Sequence, residues 1–191
     1  MFSQEQKNII LQIAKDAIKE AILNKKIINK DKLIASHPWL KEKGAVFVTI
    51  NEFNALRGCI GSIIAHRSLI DDIIYNAKAA ALNDPRFKPI SKEELDNLEV
   101  EVSILTPPKL LPYKDIDDLR AKIRPGIDGV ILSLNGHQAT YLPSVWEQVR
   151  NFDEFFSSLC VKAGLHPRCL EQHPTIYTYE AIKVKDEKWV R

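Results

Sequence analysis

Gly44-Ala45-Val46-Phe47-Val48-Thr49-Ile50-Asn51-Glu52-Phe53-Asn54-Ala55-Leu56-Arg57-Gly58-Cys59-Ile60-Gly61 is the stretch that decides the fold class. Gly44 opens an apolar, β-rich run through Ile50. Asn51 to Asn54 reads as a turn, and Ala55 to Ile60 as the returning strand. In a strand, residues two apart face the same way. Arg57 and Cys59 are therefore expected to share one face with Gly61 beyond them, while Leu56 and Ile60 face the core. Glycines at 58 and 61 admit another backbone or a ligand. An arginine beside a thiol favours the thiolate, which is the nucleophile. The competing reading is a buried free cysteine, because cysteine is among the most buried residue types.

Upstream, Ser3 with Gln6 forms a capping box, and Ile9, Ile10, Ile13, Ala14, Ala17, Ile18, Ala21 and Ile22 follow at helical spacing. A long amphipathic first helix is expected. Ile27 to Lys43 is irregular, with Pro38 breaking any helix. Downstream, Ser68 with Asp71 starts a second helix to about Leu82. Ser91 with Glu94 caps a short one. Leu98, Val100, Val102 and Ile104 alternate with polar residues as a half-buried strand.

Asp115 to Ile123 reads as a short helix. Residues 129–134 and 138–142 read as strands joined at Asn135-Gly136, a type I′ hairpin signal. A short helical piece holds Val145 and Trp146. Asp153 caps a helix to Ala163, with Gly164 beyond its end. Thr175 to Val184 reads as one final strand.

Helices and hairpins alternate without a βαβ repeat. The expected fold is α+β: a mainly antiparallel sheet flanked by helices, with room for a small second lobe and a cleft between. No linker forces independent domains, so residues 1–191 are read as one domain.

The composition, 45% hydrophobic and 27% charged, is that of an ordinary globular protein. With a formal net charge of +2 and charges of both signs interleaved, as in Lys183 to Arg191, no nucleic-acid partner is expected. The N-terminal residues show no secretory signal pattern, and no apolar run reaches membrane-spanning length, so neither a membrane nor an export role is expected. The three cysteines, Cys59, Cys160 and Cys169, are an odd, sparse set, read as reduced thiols in a cytoplasm.

Several further residues invite a chemical reading. Asp84-Pro85-Arg86-Phe87 places an acid and a base on a stiff turn, where an arginine fork suits a carboxylate or phosphate. It reads equally as an ion pair closing a helix end, with Phe87 packed beneath. His66 is nearest Cys59 in sequence and reads as a solvated loop residue. His37 and His137 offer no better base. Cys160, His166, Cys169 and His173 share a window, but their spacing matches no zinc pattern, and no metal is expected. Trp39, Trp146 and Trp189 form no stacking run. No glycine loop cradles a phosphate, so no cofactor is expected.

Leu56-Arg57-Gly58-Cys59-Ile60-Gly61 resembles the signature of the AMME-syndrome chromosomal-region candidate family, also called AmmeMemoRadiSam system protein A. Phe47-Val48-Thr49-Ile50, Asp84-Pro85-Arg86-Phe87, Glu101-Val102-Ser103-Ile104-Leu105, Leu142-Pro143 and Lys162-Ala163-Gly164-Leu165 look like further blocks of it, in order. The resemblance implies an α+β protein whose signature lines a cleft, and radical-SAM and dioxygenase-like partners in a modification system. It implies no established activity.

Two readings stay open. In one, a small molecule or peptide binds at a cleft formed by Leu56, Gly58, Ile60, Gly61, Asp84 and Arg86, with Pro143 and Ser144 at the rim. Its enzyme version uses Cys59 as nucleophile or redox thiol and Arg57 to hold the thiolate or a substrate anion. In the other, the chain is a non-catalytic interaction module with Cys59 packed at its centre.

Overall fold

The computed structural model describes residues 2–149 and 151–185. Trp189 and the charges at 186–191 lie outside them. The chain divides into two compact units, residues 1–105 with 182–191 and residues 106–181. Each has its own apolar core.

In the first unit, helix α1 (Gln4–Leu23) starts at the Ser3–Gln6 capping box that the sequence signals. A helix not expected from the sequence, α2 (Lys30–Ser36), is capped by Asn29 and ends before Pro38. Strands β1 (Lys43–Glu52) and β2 (Ala55–Gly61) form the expected hairpin. The turn is tighter than the four residues expected, because Glu52 pairs with Ala55. Phe53 and Asn54 both take positive φ, the backbone of a type I′ turn.

The two-residue strand β3 (Arg67–Ser68) pairs with the start of β1. Ser68 caps α3 (Leu69–Leu82). Strand β4 (Leu98–Leu105) lies antiparallel to β1, on the side away from β2. β9 (Ala181–Lys185) adds the far edge, giving the order β2-β1-β4-β9. Period-2 alternation sends Val46, Val48, Ile50, Val100, Val102 and Ile104 to one face. There they are buried with Ile10, Ile13, Ala14 and Ala17 of α1 and Ile70, Ile73 and Ala77 of α3.

The second unit carries β5 (Lys109–Leu110), α4 (Ile116–Lys122), β6 (Gly129–Leu134), β7 (His137–Tyr141), α5 (Phe152–Lys162) and β8 (Thr175–Tyr179). Its sheet runs β5-β8-β6-β7. Asn135 and Gly136 both have positive φ, as the type I′ signal requires. Trp146 lies flat on Phe155, with ring centroids 3.7 Å apart, and its indole N–H donates to the Asp128 carbonyl at 2.8 Å.

Three expectations are corrected here. The final strand is two strands, broken at Glu180 and divided between the two sheets. The cap of α5 is Asn151, which accepts from Glu154 N–H at 2.9 Å, rather than Asp153. Cys160 and Cys169 are not reduced thiols but a disulfide. Gly164, at φ +77°, turns the chain back after α5 and brings the two Cα atoms to 5.8 Å, within bridging range. Cys59 is the free cysteine.

Candidate functional site

The geometry of the signature turns on one inserted residue. Ile50 pairs with Gly58, whereas Asn51 pairs with Leu56, so Arg57 has no partner and forms a β-bulge. A bulge re-aims the side chain it carries. Arg57 Nε donates to Glu94 Oε1 at 2.6 Å and Nη1 to the Lys88 carbonyl at 2.9 Å. It therefore grips the segment that follows α3, and its positive charge is spent on Glu94. The bulge also reverses the alternation beyond it. Leu56 comes to lie opposite Asn51 and is 42% exposed, contrary to the expected core position. Ile60, on the near side of the bulge, does pack against the core.

Both glycines face their own protein. A Cβ on Gly58 would sit 2.2 Å from the Ala80 carbonyl oxygen of α3. Gly58, together with Ala77, Ala80 and Ala81 on the helix, allows strand and helix to approach closely. A Cβ on Gly61 would lie 2.2 Å from the ring of Phe47, its cross-strand partner. The space expected to admit a ligand is filled by backbone on one side and an aromatic ring on the other.

Cys59 is half-buried on the sheet face away from α1 and α3. Its N–H donates to Asp84 Oδ2 at 2.9 Å and its carbonyl accepts from Arg86 Nη2 at 3.4 Å. Both groups thus point away from β1, which makes Thr49–Cys59 the closely spaced, non-hydrogen-bonded kind of pair. Thr49 Oγ1 lies 3.3 Å from the sulfur. Thr49 is also paired with Glu101 on β4, and Lys183 on β9 stands 3.9 Å from the Glu101 carboxylate. A polar row, Cys59–Thr49–Glu101–Lys183, crosses the sheet.

The loop after α3 seals the β2 edge. Asp84 is 2% exposed at its side chain and forms a side-on pair with Arg86, through Nε at 3.0 Å and Nη2 at 2.8 Å. It accepts backbone N–H groups from Cys59 and Arg86 as well. The Arg86 hydrogen bonds, helped by those N–H groups, hold its carboxyl far below the usual carboxylate range against the cost of burial. The expected ion pair is real, and it ties the loop to the strand that carries Cys59. The Arg86 side chain is itself 55% exposed.

The thiol behaves opposite to expectation. Burial pushes the Cys59 pKa up, Asp84 and Glu101 reinforce this, and Thr49 and Arg86 oppose it without overcoming it. Arg57 is turned to Glu94 instead. The cation that the thiol senses is Arg86.

The histidines are engaged elsewhere. His66 Nδ1 lies 2.9 Å from the Ile64 carbonyl, and its Nε2 accepts from Arg67. His37 is near Trp39, with ring centroids 6.3 Å apart. His137 contacts the Ala163 carbonyl at 3.1 Å. His173 stacks on Tyr113 at 4.2 Å, while His166 accepts from Arg168 N–H at 3.2 Å. Pro143 and Ser144 stand in a 3₁₀ turn of the second unit. Among the described residues no group of three or more His, Cys, Asp or Glu could hold a metal ion.

One polar cluster escaped the sequence reading. Asp72 and Asn76 are buried beside β1 where β2 has ended. Asp72 accepts Val46 N–H at 2.8 Å and Ser62 Oγ–H at 2.7 Å, with Arg67 Nε at 3.1 Å. Asn76 donates to the Val46 carbonyl at 3.2 Å. Two polar residues at i and i+4 inside an apolar helix were the available signal.

The AMMECR1 family model matches residues 11–184, a span that runs through both units. The chain belongs to the AMMECR1 family. It is 36% identical over 181 residues to a protein of Methanothermobacter thermautotrophicus, covering 94% of this chain and 93% of that one. It is 38% identical to protein PH0010 of Pyrococcus horikoshii over 189 residues, covering 93% and 88%. The crystal structure of uncharacterised protein PH0010 superposes with a TM-score of 0.84 at 35% identity, over 97% of this chain and 94% of that one. This agrees with an α+β fold of antiparallel sheets flanked by helices. Among the described residues, no helix is long and apolar enough to cross a membrane.

Proposed function

We propose that this AMMECR1-family chain is a cytoplasmic binding component of a modification system with radical-SAM and dioxygenase-like partners, and that it acts without thiol catalysis. The polar face around Thr49, Cys59, Glu101 and Arg86 receives a small molecule or peptide. The observation that carries this reading is the Asp84–Arg86 pair: a buried carboxylate holds a half-exposed guanidinium in place beside a thiol that stays protonated. A fixed guanidinium recognises an anionic group. A thiol kept protonated by burial, with no histidine beside it and with Arg86 too weak to offset that burial, is a poor nucleophile. The β2 edge is closed by the 84–94 loop, so recognition is by side chains rather than by added strand pairing.

The test is reconstitution with the radical-SAM and dioxygenase-like proteins of the same genome, following assembly by sedimentation and turnover of the joint system. Arg86→Ala should weaken assembly or ligand uptake, and Cys59→Ser should leave both intact. Loss of turnover with Cys59→Ser, at unchanged assembly, would return the chemistry to the thiol.

A further inference from the structure

Between the end of α1 and the outer face of α3 lies a groove of about 410 Å³, lined by Glu20, Asn24, Lys25, Lys26, Ile28, Lys30, Ile74 and Lys78. The sequence assigns the charged residues of this lining no role and Ile74 only a place on the apolar face of its helix, and the groove does not touch the Cys59 face. Its volume falls in the range of small-molecule sites, roughly 300–1,000 Å³.

The groove is a constructed feature. Glu20 Oε1 accepts the N–H groups of Ile27 and Ile28, each at 2.7 Å, which folds the segment after α1 over the helix end. Glu20 Oε2 holds Lys78 at 2.7 Å. These bonds bring the Glu20 pKa down to about 2 despite its burial. Lys30 is placed by Asp71 at 2.5 Å. Two ammonium groups are therefore fixed across the groove. Lys25 and Lys26 have no ion-pair partner among the described residues. Buried Ile28, with Ile74, supplies an apolar wall.

We propose that this groove binds a small organic diphosphate. Of the four lining lysines, Lys78 is balanced by Glu20 and Lys30 by Asp71, which leaves Lys25 and Lys26 as an excess of two charges that a singly charged ligand would not match. Lysine is a point-charge partner suited to a cluster of anionic oxygens rather than to one planar carboxylate. The diphosphate lies toward Lys25 and Lys26, and its organic part rests on Ile28 and Ile74.

Lys25 and Lys26 also follow the C-terminus of α1, where a cation complements the helix dipole. The experiment separates the two roles. Calorimetric titration of the full chain at low salt uses ADP as the organic diphosphate and inorganic pyrophosphate as the bare one. ADP should bind, and more tightly than pyrophosphate. The pair Lys25→Glu with Lys26→Glu should weaken ADP by at least about tenfold, given roughly 1 kcal/mol per charge pair at 4 Å in water. The pair Lys25→Arg with Lys26→Arg should keep it. An equal charge reversal in the second unit, Lys109→Glu with Lys114→Glu, should leave ADP binding unchanged. The proposal fails if neither anion binds, if both reversals weaken ADP equally, or if reversal at 25 and 26 lowers only the unfolding temperature. Equal affinities for ADP and pyrophosphate would remove the organic half of the proposal.

Discussion

At the scale of single residues, Cys59 and Gly58 make opposite demands on their surroundings. The Cys59 thiol is raised by burial, so its alkylation in non-reducing buffer should have a pH midpoint above the roughly 8.5 of a free thiol. Cys160 and Cys169 are bonded to each other, so the reaction reads Cys59 alone. Arg57→Ala should leave the midpoint in place, whereas Arg86→Ala should raise it further, because Arg86 favours the thiolate. A midpoint below about 8.5 would restore the nucleophile reading. Gly58→Ala should lower stability by about 2–3 kcal/mol in denaturant titration, since the new methyl meets a helix carbonyl that cannot swing aside. Gly61→Ala should cost less, about 1 kcal/mol, because the half-buried Phe47 ring can turn away. The sequence made this cluster conspicuous but misdirected its interpretation. A bulge leaves no mark in the hydrophobic alternation of so short a strand, so the aim of Arg57 and the exposure of Leu56 were not legible.

At the scale of elements, the loop between α3 and β4 does the most to position the candidate face. Asp84 satisfies an outward-pointing N–H of the edge strand, and Glu94 serves both its own capping box and Arg57. A group whose folded pKa is depressed contributes stability above its unfolded value, here about 3.9, and that contribution fades as pH falls through the folded value. Asp84→Asn should therefore destabilise the protein by about 2–4 kcal/mol at neutral pH. Its deficit against the unaltered chain should narrow progressively below about pH 4 in acid-unfolding measurements. An equal deficit at pH 2 and pH 7 would show that the carboxylate charge does not matter. Helix caps, the Asn135-Gly136 hairpin and the alternation in β4 were readable because each depends on neighbours a few residues away. The partners of Asp84 and Arg57 come from another element, and spacing along the chain carries no record of them.

At the scale of the whole chain, two cores were hidden in a sequence without a linker, because the chain leaves the first unit at Leu105 and re-enters it after Ala181. The disulfide was misjudged because cysteine number and compartment say nothing about where Gly164 sends the chain. It closes a short loop, with a sequence separation of 9. In the chain-entropy account that is worth about 2–3 kcal/mol. Reductant, or Cys160→Ser with Cys169→Ser, should lower the unfolding temperature reported by Trp146 in the second core, while leaving the transition of the first unit in place. Thiol titration of the unfolded, unreduced chain should find one reactive group, and three after reduction. The same topology has a temporal side. β9 completes the sheet that β1, β2 and β4 begin, yet a ribosome releases it only after all of residues 106–181. At ordinary elongation rates the nascent β4 waits roughly 4–15 s with its outer edge unpaired. Strand β8, in the middle of the second sheet, leaves the ribosome just ahead of β9, so both sheets gain their missing strand in the same last moments of synthesis.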